Sequence, residues 1–557
     1  MLGKRSPQLG LFEADHLYLD FVGRDTFYGL LACLRGRLFG DEDFAALYCL
    51  DNGLPSVPPS VLATALLLQT YYPVWDEEAT GRATYDVRWK TALGIEIREQ
   101  PFAKSTLQLF RAKLILNDQA RRVFERSLEY AQELGYFKAP AMRIALDTTN
   151  ILGRGAVKDT YNLLADGIRQ LLRALAATSG KSVGEWARAH ELERYLAASI
   201  KGTTDLAWDD PEARRGFLHE IVQDAKRVLV LSSAAQASLP PSAAARETLQ
   251  SAGDLLQQLL TQDVDCGVEP VQLKRAVARD RVVSVHDPEM RHGRKSHAKR
   301  FDGHKAAIAV DVESQLITAV DVLPGNAADD THALGLVEAS EAHTGVAVSE
   351  TVADCAYGSG ATRQAFADDE RILIAPVVSR RRADQLSKDD FQIDLEHATC
   401  TCPAGQVTCQ LTILGYHSPR HGAKQPLRGF VFDPVRCAAC RLHSHCVKAK
   451  QRTERIVRLH PQERLLQAAR VLQASPQFRQ YRKDRQVAEH RLARLVQLGI
   501  RQARYCGRRK TLFQLLLAAT VANLTLAATK SGLLKAPKRR QFSIWSAILA
   551  DIEPIWS

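Results

Sequence analysis

At 557 residues the chain has room for roughly three or four domains and no difficulty in burying a substantial core. Hydrophobic residues make up 46% and charged residues 25%, which excludes a collagen-like, low-complexity or disordered chain. The net charge of +11 favours a polyanionic partner, because clustered Lys and Arg attract phosphate backbones and release condensed counterions, while 11 cysteines are too sparse for a disulfide scaffold.

The opening "MLGKRSPQLGLFEADHLYLD" holds no uninterrupted apolar run, so a cytoplasmic protein without a secretory signal is expected. From Pro59 to Leu114, apolar residues recur at three and four spacing between Ser, Pro and Gly breaks. Residues 1–140 are therefore predicted to be a helical N-terminal domain, either a structural cap or a helix-turn-helix-like reader of DNA. The run "MRIALD", Met142 to Asp147, predicts a short buried strand ending on an acid, within a block 141–159. Three long stretches of helical period follow and predict a helical insertion over 160–268.

The sheet is predicted to resume over 269–383. "HKAAIAVDVESQLITAVDVLPGN" reads as two strands joined at Glu313, Ser314 and Gln315. A helix over "DDTHALGLVEASEAH", a strand "ETVAD" ending at Asp354, a helix around "ATRQAFADD" and a strand "RILIAPVV" complete it. A cysteine-rich insertion spans 384–459, and the block 460–530 opens with two helices introduced by prolines, the second carrying Glu489. The apolar stretch Thr511 to Thr529 is nearly long enough for a bilayer, but Gln514 and Asn523 interrupt it and a buried helix is expected, with no membrane partner. Residues 531–557 form a C-terminal tail. The fold class is α/β multidomain, with a mixed sheet at its core.

Asp147 and Asp354 each close an apolar run. Neighbouring strands that end at one sheet edge would set both carboxylates on the same rim, and a helix crossing that rim could add Glu489. Three such acids suit two Mg²⁺ or Mn²⁺ ions, which take hard oxygen ligands and can activate one oxygen of a phosphodiester displacement while stabilising the other. Spacing alone does not choose these acids over Asp311, Asp321, Asp329, Asp330 or Asp484, and a strand-terminal Asp often only caps the next helix. Asp484 is separated from Glu489 by about 140° around a helix, so the two cannot serve one site equally. Arg482 and Arg485 share the Glu489 face, either to hold phosphate or as a solvated ion-paired surface.

"RHGRKSHAKRFDGHK" is densely basic and leads into the sheet, which nominates Arg291, Arg294, Lys295, Lys299, Arg300 and Lys305 for DNA contact. "RQARYCGRRK" adds Arg504, Arg508, Arg509 and Lys510, and "KAPKRR" ends a further basic run at Arg540. Six cysteines crowd between Cys400 and Cys446, with His443 and His445 among them. Cys437 and Cys440 have the spacing of a zinc knuckle, and Cys402 and Cys446 are the candidates to complete a tetrahedral structural site; the alternative is reduced thiols packed in a small subdomain.

Taken together, the blocks "ALDTTNILGRGAVKDTYNLL", "VHDPEMRHGRKSHAKRFDGHKAAIAVD", "ETVADCAYGSG" and "RQVAEHRLARLVQLGIRQARYCGRRKTLFQLLLAATVANL", with the helical N-terminal text, resemble the DDE transposases of bacterial insertion sequences, specifically the IS eleven-eighty-two group. The resemblance implies an RNase H-like core, a triad of Asp147, Asp354 and Glu489 that binds magnesium, and cleavage of DNA at element ends followed by transesterification into target DNA. It also implies terminal inverted repeats and target DNA as partners, and a homodimer in the synaptic complex. Related transposases carry a Tyr, an Arg and a downstream Lys at set distances from the Glu. Here Arg485 fits, Tyr481 is one position further away, Val496 stands in the Lys position, and Arg494 is the nearest basic substitute. The rival expectations are an inactive, transposase-derived DNA-binding regulator and a metal-dependent nuclease without strand transfer.

Overall fold

The computed structural model describes residues 1–5, 14–49, 52–240, 243–268, 270–295, 298–378, 384–417, 425–447 and 453–535. The chain forms two compact units: Met1–Lys138 together with the chain from Leu516 onward, and Ala139–Leu515.

The first unit is helical, with helices at Phe27–Cys33, Pro59–Tyr71, Asp76–Tyr85, Val87–Leu93, Lys104–Leu116 and Ala120–Glu133. Pro59–Tyr71 begins with the prolines Pro58 and Pro59, whose fixed φ suits a first turn, and nearly its whole surface is buried. Burial of its apolar residues brings one ion pair inside, Arg111 to Asp76 at 2.6 Å, which Gln69 helps to satisfy through a 2.9 Å bond to Asp76. Helix Arg508–Lys530 carries the apolar run 511–529. It is long and apolar enough to cross a membrane by length and composition, and its residues Leu515, Ala518, Ala519, Val521, Leu524, Ala527 and Ala528 are fully buried in the protein.

The second unit is organised by a six-stranded mixed sheet: β1 (Ala141–Leu152), β2 (Arg291–Arg294), β3 (Arg300–Asp311), β4 (Ile317–Pro324), β5 (Ala347–Val352) and β6 (Leu373–Ile374). β3 pairs antiparallel with β1 on one edge and with β2 and β4 on the other, while β5 is parallel to β1 and β6 parallel to β5. Between β1 and β2 the chain forms Thr160–Thr178, Pro211–Ser238 and Ala244–Asp263, which pack around Leu171, Leu172, Ile221, Val222 and Leu256. One face of the sheet presents Met142, Ile144, Leu146, Ala307 and Ala309 to a core shared with Leu336, Val337 and Phe366 of helices Ala333–Thr344 and Gly360–Asp368. Helix Phe478–Leu495 is held to β1 and β5 by Arg143, which pairs with Asp484 at 2.6 Å and Glu350 at 2.7 Å.

β1 does not stop at Asp147. It continues through "TTNIL", whose β-branched Thr148, Thr149 and Ile151 favour a pleated surface, and pairs residue by residue with β3 as far as Leu152 opposite Gly303. Gly303 makes this possible, because a Cβ there would stand 2.1 Å from the Ile151 carbonyl oxygen. The last predicted strand is shorter than "RILIAPVV", reduced to Leu373–Ile374. In the cysteine-rich stretch lie two small three-stranded sheets, one of Gln392–Asp394, Thr399–Thr401 and Val407–Thr408, the other of Leu411–His417, Gln425–Val431 and Ile456–Arg458. Lys538, Arg539 and Arg540 of the basic tail lie outside the described residues.

Candidate active site

The pairing register brings the two aspartates level. Ala145 of β1 is the partner of Val352, the last residue of β5; two residues beyond this last pair come Asp147 and Asp354, which line one pocket. β1 keeps its strand there because β3 supports its other edge, with Asp147 opposite Ile308. β5 ends, and Asp354 caps the turn Cys355–Tyr357 by accepting the Ala356 N–H at 2.8 Å. The gap left beside β1 is the mouth of a pocket lined by Asp147, Asp354 and Glu489 together with Thr149, Asn150, Arg294, Lys295, Lys305, Asp329, Arg485, Val496 and Arg501.

Burial pushes the Asp147 carboxyl up to about 6, with the charges of Asp354 and Glu489 adding to the rise; the Thr148 N–H, donated to Oδ1 at 2.7 Å, and the Arg485 guanidinium oppose it. Behind the aspartates the buried Tyr357 hydroxyl is driven well above its ordinary range, first by burial and then by Asp147, Asp329 and Asp354, so it stays neutral. Glu489 approaches from helix Phe478–Leu495 with a side chain 49% exposed and paired to Arg485 at 2.6 Å. Among the described residues no three His, Cys, Asp or Glu side chains stand close enough, as placed, to hold one ion. The donor set itself suits a hard divalent cation: carboxylate oxygens crowded around one pocket, one of them destabilised by burial and like charge.

The competing acids are engaged elsewhere, with one exception. Asp311 closes the β3–β4 turn by accepting the Ser314 N–H, Asp321 is bonded to His332 at 2.6 Å, and Asp330 accepts from Thr362 at 2.6 Å. Asp484, only 6% exposed, faces Arg143 on the far side of the helix from Glu489. Asp329 does line the pocket and is paired with Lys305 at 2.7 Å.

The basic residues divide in the same way. Arg294, Lys295, Lys305 and Arg485 line the pocket. Arg482 lies over the Phe478 ring at 5.6 Å, Arg494 bonds Gln497 at 3.3 Å, Arg508 pairs with Glu289 at 3.1 Å, and Arg291 donates to the carbonyls of Pro288 and Met290. The Arg504 N–H is held by Gln514, while Lys299, Arg300, Arg509 and Lys510 are exposed away from the pocket lining. Tyr481 is buried and donates to Glu350, and Val496 faces the pocket.

Arg501 is a pocket residue that the sequence reading did not single out. The helix widens into a π-turn at Val496–Ile500, and Gly499 breaks it at φ 92°. The chain then returns to the sheet, where the Leu152 N–H donates to the Arg501 carbonyl at 2.9 Å and the Ala503 N–H to the Leu152 carbonyl at 2.8 Å. The Arg501 guanidinium is thereby fixed on β1 through Asn150 Oδ1 at 2.7 Å and Thr149 Oγ1 at 3.3 Å. The glycine after Leu498 was the one signal available for this break.

Comparison with known proteins gives two matches. Residues 401–526 match the family model described as Transposase DDE domain, and residues 20–113 match the model described as Transposase domain (DUF772). No curated protein and no solved structure matched the chain. The two family matches support a DDE-type transposase. The first takes in Glu489 and the cysteines from Cys402 to Cys446; Asp147 and Asp354 fall outside both matched stretches.

Proposed function

We propose that this protein cuts DNA phosphodiesters at the ends of its insertion sequence and joins the freed 3′-OH to target DNA, using Asp147, Asp354 and Glu489 on an RNase H-like core. The observation that carries this reading is the pocket that Asp147 of β1, Asp354 just past the end of the parallel β5 and Glu489 of a crossing helix line together, with Asp329 paired to Lys305 at its wall and Arg294, Lys295, Arg485 and Arg501 around it. The strand order, with β3 antiparallel beside β1 and with β5 and β6 parallel on its other side, supports the RNase H-like assignment. Asp147, Asp354 and Glu489 would hold divalent cations, which when bound supply an activated oxygen nucleophile and neutralise charge on the leaving oxygen.

The chain's own groups bind and orient the DNA. Arg501, anchored on β1, presents a guanidinium to a phosphate entering the pocket. Arg485 serves the same phosphate when it leaves Glu489, and Arg294 and Lys295 extend the cationic rim along the β2–β3 hairpin. The helical first unit reads the element ends, and two copies of the chain pair them.

The test is incubation of the full chain with DNA carrying its own element ends, pre-cut or intact, and Mg²⁺. Wild type yields joined products; Asp354→Ala loses at least about a hundredfold in rate, since a missing metal ligand removes several kcal/mol of barrier lowering. Hydrolysis without joining would identify a nuclease, and a DNA shift in a gel with neither product would identify a regulator. Either result overturns the proposal.

A further inference from the structure

The cysteine-rich segment has a small core among the described residues. Among the described residues, two three-stranded sheets and two helices of five and four residues rest on five buried residues, Phe391, Cys400, Phe430, Phe432 and Val457, with Leu386, Ile393, Leu459 and three of the cysteines partly buried against them. Small units of this kind ordinarily need disulfides or a metal, and these cysteines are free thiols.

The structure sorts the six clustered cysteines into two kinds. Cys400 is fully buried in its strand against the phenylalanines, and Cys409 is exposed. The remaining four, Cys402, Cys437, Cys440 and Cys446, line one pocket although they come from a strand end, a helix, a turn and a second helix. Two of the sulfurs accept backbone N–H bonds, Cys402 from Gln406 at 3.3 Å and Cys440 from Leu442 at 3.4 Å, contacts that orient them as ligands. His443 also lines this pocket, with its Nε2 3.1 Å from the Thr453 carbonyl oxygen, while His445 Nδ1 lies 3.1 Å from that of Asp384; with four thiols present, neither ring is needed to complete a four-ligand site.

We propose that Cys402, Cys437, Cys440 and Cys446 form a tetrahedral all-thiolate site for a structural zinc ion. The four sulfurs share a pocket without yet meeting at holding distance, and the ion draws them in to about 2.3 Å, each bound thiol giving up its proton. The clamp ties the Cys402 turn to the short helix His443–Cys446. That helix holds the entry to the segment, because the Leu386 N–H donates to the His445 carbonyl at 2.9 Å and Arg455 bonds the Cys446 carbonyl at 2.6 Å.

Metal analysis of the full chain tests this without reference to DNA chemistry. One zinc per chain is expected, released by a thiol-specific mercurial, retained in Cys409→Ser and lost in Cys440→Ser. Should Cys440→Ser fail to fold, cobalt(II) added to the zinc-stripped wild-type chain decides: the visible absorption of tetrahedral thiolate cobalt supports the site. Absence of bound zinc together with a hexa-aquo cobalt spectrum overturns it, as does equal loss of zinc in Cys409→Ser. None of these outcomes touches the transposase reading.

Discussion

Asp147 sits in a twelve-residue strand supported by β3 along one edge and by β5 up to Ala145 on the other, whereas the pocket cysteines sit at the end of a three-residue strand, on helices of four and five residues and in the turn between them. The long strand is over-determined by its neighbours, so it can hold a carboxylate beside two others and bear the repulsion. The cysteine segment has no such reserve. A metal at the first place would serve chemistry on a scaffold that stands without it; a metal at the second would be part of the fold.

The largest effect that separates the two pockets is therefore that of Asp354→Ala set against zinc removal. The first is expected to abolish strand transfer while leaving the melting transition close to that of wild type. Stripping zinc is expected to expose residues 384–459 to limited proteolysis while the β1–β6 sheet keeps its protection. Proteolysis spread equally over both regions would erase the contrast.

The next effect is on stability. Asp147 has a folded pKa of about 6, above its value in an unfolded chain, so the folded state binds the extra proton between about pH 4 and 6 and stability falls as pH rises through that window. Below about pH 4 the penalty is absent; above 6 it is fully present. Asp147→Asn should thus raise stability at pH 7–8 by about 1–3 kcal/mol, allowing for partial solvent access, and should abolish activity. Calorimetry at pH 8 and pH 5 checks it: the gain must shrink at the lower pH, and Mg²⁺ must raise the melting temperature of wild type but not of the variant.

That Asp147, Asp354 and Glu489 could share one pocket was legible in the sequence. Apolar runs closing on Asp147 and Asp354 mark strands, and the helical angle between Asp484 and Glu489 separates a buried structural acid from a pocket acid. The extension of β1 past Asp147 was not legible, because an acid after an apolar run is the ordinary sign of a strand end; only pairing to β3, through Gly303, overrides it. Cys437 and Cys440 announce themselves by spacing, but the exclusion of Cys400 depends on the phenylalanines it packs against. Arg501 opens the basic run 501–510, but its place in the pocket was hidden because it depends on a backbone contact to Leu152, some 350 residues earlier in sequence.

That hidden residue provides the next test. If Arg501 holds phosphate, Arg501→Ala should slow strand transfer by about tenfold, near 1.4 kcal/mol, and flatten the salt dependence of DNA binding by about one counterion. Arg501→Lys should restore part of the binding and less of the rate, since an ammonium cannot bridge two oxygens as a guanidinium does. An unchanged salt slope would assign Arg501 to the support of Asn150 alone.

The smallest effect is expected at Arg482, which shares a helical face with Glu489 by spacing yet lies over the Phe478 ring outside the pocket lining. Arg482→Ala removes an exposed cation–π contact worth about 0.5–1 kcal/mol, so its cost should appear in stability and leave strand transfer within about twofold of wild type. A loss in rate comparable to that of Arg501→Ala would mean that DNA reaches further along helix Phe478–Leu495 than the pocket, and that the basic face rather than the β1 anchor positions the phosphate.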